Sequence, residues 1–354
     1  MNSTGRNFCS DNITPASPEV IDAVTAANTG MLHSYGDDPY TKRLSALTSE
    51  LFETEVSVYP VATGTAANAL ALSVLTPPYG AIYCHETSHI VTDECGAPEF
   101  YSAGAKLITL PGVHGKLLPT QLDAPLRRAA DLGVHHVQPA AVSITQATEW
   151  GTVYTPSEVQ ALSAEAHAHG LGLHMDGARL ANAIAQLGCS PAEATWKAGV
   201  DVLSLGATKN GAMAAEAVVV FDPTRAADFE ARRKRAGHLW SKMRFLSAQL
   251  VAYLETGLWL RNASHANAMA ARLAAGLATL PAVRLVQPVQ ANELFVAMPE
   301  RLIEALLADG FEFYRWLAPD DISDPVIRLV TSFCTVAADV DAFVAAARHR
   351  ASAV

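Results

Sequence analysis

The feature that most constrains the fold is an alternation of short apolar runs with helical stretches between about residues 58 and 220. The apolar runs are VYPVA, AIYCH, KLITL, AAVSIT, LGLHM, VDVLSL and AEAVVVF, each bounded by Gly, Pro or polar residues. Such alternation is typical of an α/β fold. Because the runs are apolar almost throughout, they suit strands that are buried on both faces. The sequence therefore predicts a mostly parallel sheet between layers of helices, with ligands at the carboxyl ends of the strands.

The pattern changes beyond this region and predicts a second domain. It is helical from about residue 225 to residue 280, and then LFVAM and VIRLVTSF are predicted strands, with PERLIEALLADG and AADVDAFVAAARHR as predicted helices. A chain of 354 residues also exceeds what one hydrophobic core usually organises. We therefore predict a large domain over residues 1–255 and a small C-terminal α+β domain over residues 256–354.

Composition excludes several classes of protein. The chain is 50% apolar and 17% charged, which indicates a globular protein and not a disordered one. Its 25 basic and 35 acidic residues give a net charge of −10, and no long basic run is present, so we expect no nucleic-acid partner and no anionic membrane partner.

The cysteines and the apolar runs also predict a compartment. The five cysteines are scattered and show no CxxC spacing, so we expect reduced thiols and no metal site. The chain begins MNSTGRNFCSDN, without the pattern of a signal peptide, and no apolar run reaches the roughly 18 residues of a membrane span. We therefore expect a soluble cytoplasmic protein.

The first segment with possible chemistry is VYPVATGTAANALALSVL, which predicts a strand, a turn at Thr63-Gly64-Thr65 and a helix. The start of a helix presents N–H groups and a positive dipole end to an anion, and Thr65 adds a hydroxyl, so phosphate suits this turn. An ordinary strand-to-helix turn explains the segment equally well. The signatures of dinucleotide-binding and P-loop proteins are absent.

Two further segments carry an acid and a lysine. In LGLHMDGARLANA a predicted strand ends at Asp176, whose carboxylate either keeps a pyridine nitrogen protonated or caps the following helix. In VDVLSLGATKNGAMAAEAVVVF, Lys209 lies in a hairpin-like turn between two apolar runs. A lysine in this position suits covalent chemistry through a neutral amine or an imine, and a solvated loop tip is the alternative.

These segments, in this order, resemble the threonine aldolases, specifically the bacterial low-specificity L-threonine and phenylserine aldolases among the fold-type-I pyridoxal-phosphate enzymes. ITQATEWGTVYT and RLVTSF share the resemblance, which extends from SDNITPASPEV to VTSF. It implies a fold-type-I large domain and a small C-terminal domain. It also implies cleavage of L-threonine, L-allo-threonine or a related L-β-hydroxy-α-amino acid such as phenylserine to glycine and an aldehyde.

The resemblance implies a set of cofactor contacts. Lys209 is expected to form the Schiff base with pyridoxal 5'-phosphate, and Asp176 is expected to pair with the ring nitrogen. The other residues expected to contact the ring or phosphate are Gly64, Thr65, His89, Arg179 and Thr208. His89, in CHETSHIVTDECG, matches the histidine that stacks on the ring. Without the resemblance it would be read as a surface or capping histidine.

Substrate contacts follow in the same way. Arg179 and Arg328 match the arginines that bind the substrate carboxylate, and Ser10, in CSDN, is the expected third contact. Tyr35 and Trp150 are candidates for the width of the pocket. Without the resemblance, Arg179 would be read as a surface ion-pair residue and Arg328 as a charge at a strand edge.

The chain departs from the family pattern near the substrate hydroxyl. Where many members carry a histidine, this chain reads QATEW, which places Glu149 there. A carboxylate accepts the hydroxyl proton directly or through water if burial tunes its pKa. Glu94, in TDECG, is a second candidate base, His89 and water are others, and a structural role is the alternative for each glutamate.

The basic cluster RRKRAGHLWSKMR would otherwise be a solvated helix face. In the family, basic groups of this region reach the phosphate bound by a neighbouring subunit, so Lys242 and Arg244 are candidates for that role. The resemblance therefore implies a homo-oligomer, at least a dimer and by expectation a tetramer built as a dimer of dimers.

Two other kinds of function are consistent with these motifs. Another fold-type-I enzyme, such as an aminotransferase, a β-eliminating lyase or a racemase, would use the same scaffold. A cofactor-binding protein without aldolase activity would show a Lys209-dependent absorbance without turnover.

Overall fold

The computed structural model describes residues 6–319 and 321–352, which form two sheets with helices packed around them. The strands of the larger sheet are β1 (Ser57–Val61), β2 (Gly80–His85), β3 (Lys106–Leu110), β4 (Gln138–Thr145), β5 (Gly172–Gly177), β6 (Val202–Leu205) and β7 (Glu216–Val220). Those of the smaller sheet are β8 (Arg284–Leu285), β9 (Glu293–Ala297), β10 (Tyr314–Trp316) and β11 (Val326–Val330). Each of the seven apolar runs is a strand of the larger sheet, as predicted.

The larger sheet has the order β1-β7-β6-β5-β4-β2-β3. Strands β3, β2, β4, β5 and β6 pair in parallel, whereas β7 is antiparallel to both of its neighbours, β6 and β1. The prediction of a mostly parallel α/β sheet is confirmed. The smaller sheet has the order β10-β11-β9-β8 and is antiparallel throughout.

Helices cover both faces of the larger sheet and one side of the smaller. In chain order the helices of the described residues are α1 (Pro18–Ala27), α2 (Pro39–Leu51), α3 (Gly64–Leu75), α4 (His89–Thr92), α5 (Ala97–Tyr101), α6 (Pro119–Leu132), α7 (Pro156–Ala168), α8 (Leu180–Leu187), α9 (Pro191–Ala194), α10 (Phe229–Arg235), α11 (Arg244–Glu255), α12 (Leu258–Leu277), α13 (Glu300–Ala308) and α14 (Ala337–Ser352).

Successive residues of one strand enter different cores, because side chains alternate between the faces of a sheet. In β7, Val218 packs in the core beneath α3, and Val219 packs in the core on the opposite face. Val202 and Leu203 of β6 divide in the same way. All four side chains are fully buried, so burial on both faces explains why these strands are apolar throughout.

The N-terminal segment packs with the smaller sheet. Phe8 lies edge-on to Phe343 of α14, with ring centroids 5.3 Å apart, inside the second core. The Phe8 N–H donates to the carbonyl of Glu312, and the Val330 N–H donates to the carbonyl of Phe8, each at 2.8 Å. The domain boundary between residues 255 and 256 stays a prediction. It falls between α11, which ends at Glu255, and α12, which begins at Leu258.

In the described part of the chain, no helix combines the length and the apolar character that crossing a membrane requires.

We expect Phe8→Ala to lower the free energy of unfolding by about 3–5 kcal/mol, because it opens a cavity in a close-packed core. The measurement is the midpoint of thermal unfolding. Phe100→Ala is the matched control, since Phe100 is 76% exposed and its loss should leave the midpoint nearly unchanged. Equal midpoints for the two variants would contradict the packing of the N-terminal segment into the second core.

Candidate active site

The candidate site lies at the carboxyl edge of the larger sheet. In the parallel pairing, Thr145 of β4 is opposite Asp176 of β5, and Asp176 is opposite Ser204 of β6. A cavity of about 370 Å³ opens at this edge. Six of the residues singled out from the sequence line it, namely Gly64, Thr65, His89, Asp176, Thr208 and Lys209.

The turn before α3 forms one wall of this cavity. The Thr63 hydroxyl accepts a hydrogen bond from the Ala66 N–H at 3.2 Å and so caps the helix, which begins at Gly64. The first N–H groups of a helix have no acceptor within it, and here they border the cavity. A Cβ added at Gly64 would meet no protein atom within 4 Å, so internal packing does not require a glycine here.

Lys209 lies in a turn that is anchored to the protein core through its neighbour Asn210. The turn is a short 3-10 helix, Thr208–Asn210, which joins the antiparallel strands β6 and β7. The Asn210 amide donates to the Tyr253 hydroxyl at 2.7 Å and to the Trp259 carbonyl at 2.8 Å. Because the neighbouring asparagine is anchored in the core, the lysine is directed to the cavity edge and is no solvated loop tip.

A chain of hydrogen bonds connects the acids beside the cavity. The Asn68 amide of α3 donates to Asp176 Oδ2 at 2.7 Å and to Glu94 Oε1 at 2.8 Å. The same Glu94 oxygen lies 2.8 Å from His89 Nδ1. This hydrogen bond raises the pKa of His89, and burial raises the pKa of Glu94. Asp176 also accepts from the Ala178 N–H at 2.9 Å, so both of its oxygens are held in place.

Glu149 occupies the position that the sequence analysis gave to the candidate base. One carboxylate oxygen accepts from the His89 N–H at 2.8 Å and from the Thr145 hydroxyl at 2.7 Å. The other oxygen is buried and has no hydrogen-bond partner among the described residues. Burial raises the pKa of Glu149 to about 7, despite the two hydrogen bonds that oppose the shift.

The two arginines come together beside a second cavity of about 410 Å³, which shares Lys209 and His89 with the first. Arg179 makes a two-pronged ion pair with Asp11, through Nε at 2.8 Å and Nη2 at 3.0 Å. Its Nη1 lies 3.1 Å from Glu293 Oε2, and Arg328 Nη1 lies 3.9 Å from Glu293 Oε1. Burial opposes the charge of Arg179, but the two carboxylates raise its pKa above the usual value.

Aromatic rings and a hydroxyl complete the second cavity. Ser10, Trp150 and Trp316 line it together with Arg328, whose guanidinium lies 4.4 Å from the Trp316 ring centroid. Trp150 in turn packs on Phe295, with centroids 4.7 Å apart. The predicted substrate residues Ser10, Arg179 and Arg328 therefore lie around one space.

Four of the predicted site residues line neither of these cavities: Glu94, which is bound to His89 and Asn68 beside them, and Tyr35, Lys242 and Arg244. Tyr35 is 50% exposed, its N–H donates to the Ser241 carbonyl at 3.0 Å, and the Lys234 ammonium lies 4.6 Å from its ring centroid. Lys242 is exposed, and Arg244 begins α11 with its guanidinium 5.1 Å from the Phe245 ring. Their roles stay predictions.

Sequence reasoning missed Asp11, Asn68 and Glu293. Asn68 carried a signal, because it is a polar residue within an otherwise apolar helix start. Asp11 follows Ser10, but its partner Arg179 is 168 residues away along the chain. Glu293 opens an apolar strand, which is an unusual place for a charge.

Comparisons with known proteins agree with this geometry. The family model described as beta-eliminating lyase matches residues 7–301. A low specificity L-threonine aldolase from a Pseudomonas species is 48% identical over 317 residues, covering 90% of this chain and 91% of the relative. The low specificity L-threonine aldolase of Pseudomonas aeruginosa is 49% identical over 313 residues, covering 88% and 90% respectively.

The chain belongs to the threonine aldolase family. A solved structure of Leishmania major threonine aldolase matches with a TM-score of 0.91 at 30% identity, covering 98% of this chain and 99% of that one. The resemblance inferred from the sequence and the predicted fold-type-I α/β architecture are thereby confirmed. Membership in the threonine aldolase family also implies a pyridoxal-phosphate enzyme.

We expect Asp11→Ala to lower the free energy of unfolding by about 3–5 kcal/mol, because it breaks a buried ion pair and leaves Arg179 short of a partner. The measurement is the thermal unfolding midpoint. Asp341→Ala is the matched control, since Asp341 makes the same two-pronged contact with Arg272, both bonds at 2.7 Å, on an exposed surface. A drop as large in the control would show that burial does not decide the cost.

Proposed function

We propose that this chain is a pyridoxal-phosphate-dependent aldolase that cleaves L-threonine, L-allo-threonine or a related L-β-hydroxy-α-amino acid to glycine and an aldehyde. One observation carries the proposal: Lys209 and Asp176 line one cavity, and a pair of arginines lines the cavity that adjoins it. The relatives that match over most of their length are named low specificity L-threonine aldolases, which favours this reaction over the rival activities.

The residues around the first cavity fit the cofactor. Asp176 is buried, and two donors hold its carboxylate at the cavity wall, which suits a partner for a protonated ring nitrogen. The N-terminus of α3, with Gly64 and Thr65, suits a phosphate. Lys209 would hold the cofactor covalently, with Thr208 beside it and His89 against the ring.

Pyridoxal phosphate, when bound, supplies an electron sink for the electron pair of the broken Cα–Cβ bond. The chain supplies orientation and proton transfer. Arg179, Arg328 and Ser10 would bind the substrate carboxylate, and this fixes which bond at Cα stands in line with the sink. The rigid ion pair between Asp11 and Arg179 keeps that carboxylate in one place.

Glu149 is the base that the geometry favours. Its second oxygen has no partner, and the residue lines the cavity that holds the arginines. Glu94 likewise has one oxygen bound, by Asn68 and His89, and one without a partner among the described residues, but it does not line that cavity. We therefore assign to Glu149 the removal of the β-hydroxyl proton, which releases the aldehyde, and to Glu94 the positioning of His89.

Assembly and location form part of the same proposal. Tyr35 and Trp240 are exposed aromatic side chains at the basic cluster, where the Tyr35 ring lies under the Lys234 ammonium, and this supports a buried contact with another subunit. A neighbouring subunit would then receive Lys242 or Arg244 at its phosphate site, in at least a dimer and by proposal a tetramer. Because the five cysteines are unpaired, we infer a cytoplasmic enzyme that acts on small molecules.

The first test is product formation. We expect the purified protein with pyridoxal phosphate to release glycine and the matching aldehyde from L-threonine or L-phenylserine, and Lys209→Ala to release neither. Lys197→Ala is the control, since that exposed lysine pairs with Glu53 at the surface, lies over the Trp196 ring and lines neither cavity. Glycine from the Lys209 variant would contradict the proposal, as would keto acid or pyruvate as the product of the wild-type protein.

The pH profile tests the assignment of the base. A base must be ionised, so kcat/KM should rise with pH through about 7, the pKa to which burial raises Glu149. Glu149→Gln should lower kcat about 10²–10⁴-fold and remove this limb of the profile, while Glu94→Gln should keep it. Unchanged turnover in Glu149→Gln would remove Glu149 from the mechanism.

A further inference from the structure

We propose that Glu293 acts as an internal counter-carboxylate for the two substrate arginines and takes up a proton when the carboxylate of an amino acid binds between them. The inference rests on the proposed function of Arg179 and Arg328. In this inference Glu293 sets the affinity of the site for a carboxylate and the dependence of that affinity on pH.

Glu293 lies directly between the arginines. It opens β9, and its side chain is 1% exposed while lining the second cavity. Its two oxygens lie 3.1 Å from Arg179 and 3.9 Å from Arg328. The nearer oxygen, Oε2, makes no well-aligned hydrogen bond among the described residues. The carboxylate is therefore attracted to both cations but is tightly bound by neither.

Asp11 occupies one edge of the Arg179 guanidinium, and Glu293 already faces the edge that remains for a ligand. Arg179 donates to the Asp11 carboxylate from Nε at 2.8 Å and from Nη2 at 3.0 Å. The remaining Nη1 points to Glu293. A substrate carboxylate that reaches Arg179 must therefore come close to a second carboxylate.

The charges balance before the substrate arrives. Arg179 and Arg328 carry two positive charges, and Asp11 and Glu293 carry two negative charges. A bound substrate carboxylate adds a third negative charge in a buried place, where like charges repel strongly. Uptake of one proton by one of the two acids restores the balance.

Glu293 is the acid that takes the proton. Burial outweighs the attraction of Arg179 and Arg328 and raises the pKa of Glu293. Burial also opposes ionisation of Asp11, but the charge and hydrogen bonds of Arg179 lower its pKa. The other charged or titratable groups that face this space are Lys209, His89, Asp93 and Glu149.

The loop beside Glu293 keeps it from withdrawing. Gly151 has φ +70°, and a Cβ there would lie 2.9 Å from the Glu293 carbonyl oxygen, so the main chains are in close contact. On the other side, the Asn292 amide donates to Asp11 at 3.0 Å and to the Thr331 carbonyl at 2.7 Å. Because the backbone is held on both sides and the side chain is 1% exposed, Glu293 has little room to turn away and responds to a new charge by protonation.

The test is calorimetric binding of glycine to the cofactor-loaded protein in buffers of different ionisation enthalpy. Wild type should take up about one proton more than Glu293→Gln on binding glycine, because the amide cannot be protonated. Above the Glu293 pKa the variant should bind glycine about tenfold more tightly, which corresponds to one pKa unit of repulsion. As pH rises through that pKa, the ratio of glycine affinity in the variant to that in wild type should grow from about one to about ten, because the other titratable groups of the cavity are common to both proteins.

Glycinamide separates this effect from a structural one. It has the same amine but no carboxylate, so wild type and Glu293→Gln should bind it equally. Glu300→Gln, at an exposed pair with Arg315, is the control for the substitution itself. Thermal midpoints and cofactor absorbance verify folding, and Glu293→Ala provides a second uncharged variant if the amide disturbs the arginines.

Two results would overturn the inference. Equal proton uptake by wild type and Glu293→Gln would mean that Glu293 does not change its protonation when glycine binds. An equal increase in affinity for glycinamide would mean that the substitution had only changed the shape of the cavity. Failure of wild type to bind glycine at all would instead overturn the proposed function, and the inference with it.

Discussion

The site depends on the backbone hydrogen bonds that align β4, β5 and β6 at one edge of the larger sheet. Their register sets Thr145, Asp176 and Ser204 side by side, and the antiparallel return through β7 brings Lys209 to the same edge. Because a sheet edge is rigid, the acid and the amine are in place before any ligand binds. Asn68, from the helix above, then connects Asp176 to Glu94 and so to His89.

Charge is divided between two neighbouring regions of the site. Asp176 lines the first cavity and connects through Asn68 to Glu94, whereas Glu149 lines the second cavity. Burial raises the pKa of both glutamates. The arginines gather beside the second cavity and are matched by Asp11 and Glu293. A buried carboxylate without a full set of partners is ready to exchange a proton, whereas one in a two-pronged ion pair is not. Glu149 and Glu293 are of the first kind, and Asp11 is of the second.

The sequence predicted the larger sheet well, since strands buried on both faces leave unbroken apolar runs such as AEAVVVF. It did not predict β8 and β10, because strands of two and three residues are too short to form a pattern. Lys209 and Asp176 were found from local motifs, but the partners that hold the site were not. Asp11 meets Asn292 across 281 residues of sequence, and only the folded chain brings such residues together. Tyr35, Lys242 and Arg244 line neither of the two described cavities, and their predicted roles depend on a second subunit.

Lys209 is proposed to bind the cofactor, and borohydride reduction of the loaded protein identifies the lysine that does so. The purified protein would be incubated with pyridoxal phosphate, reduced with sodium borohydride, digested and analysed by peptide mass spectrometry. We expect one stable pyridoxyl adduct, on the peptide that contains Lys209, with loss of the visible absorbance on reduction. An adduct on another lysine, or none in protein that is folded and saturated with pyridoxal phosphate, would contradict it.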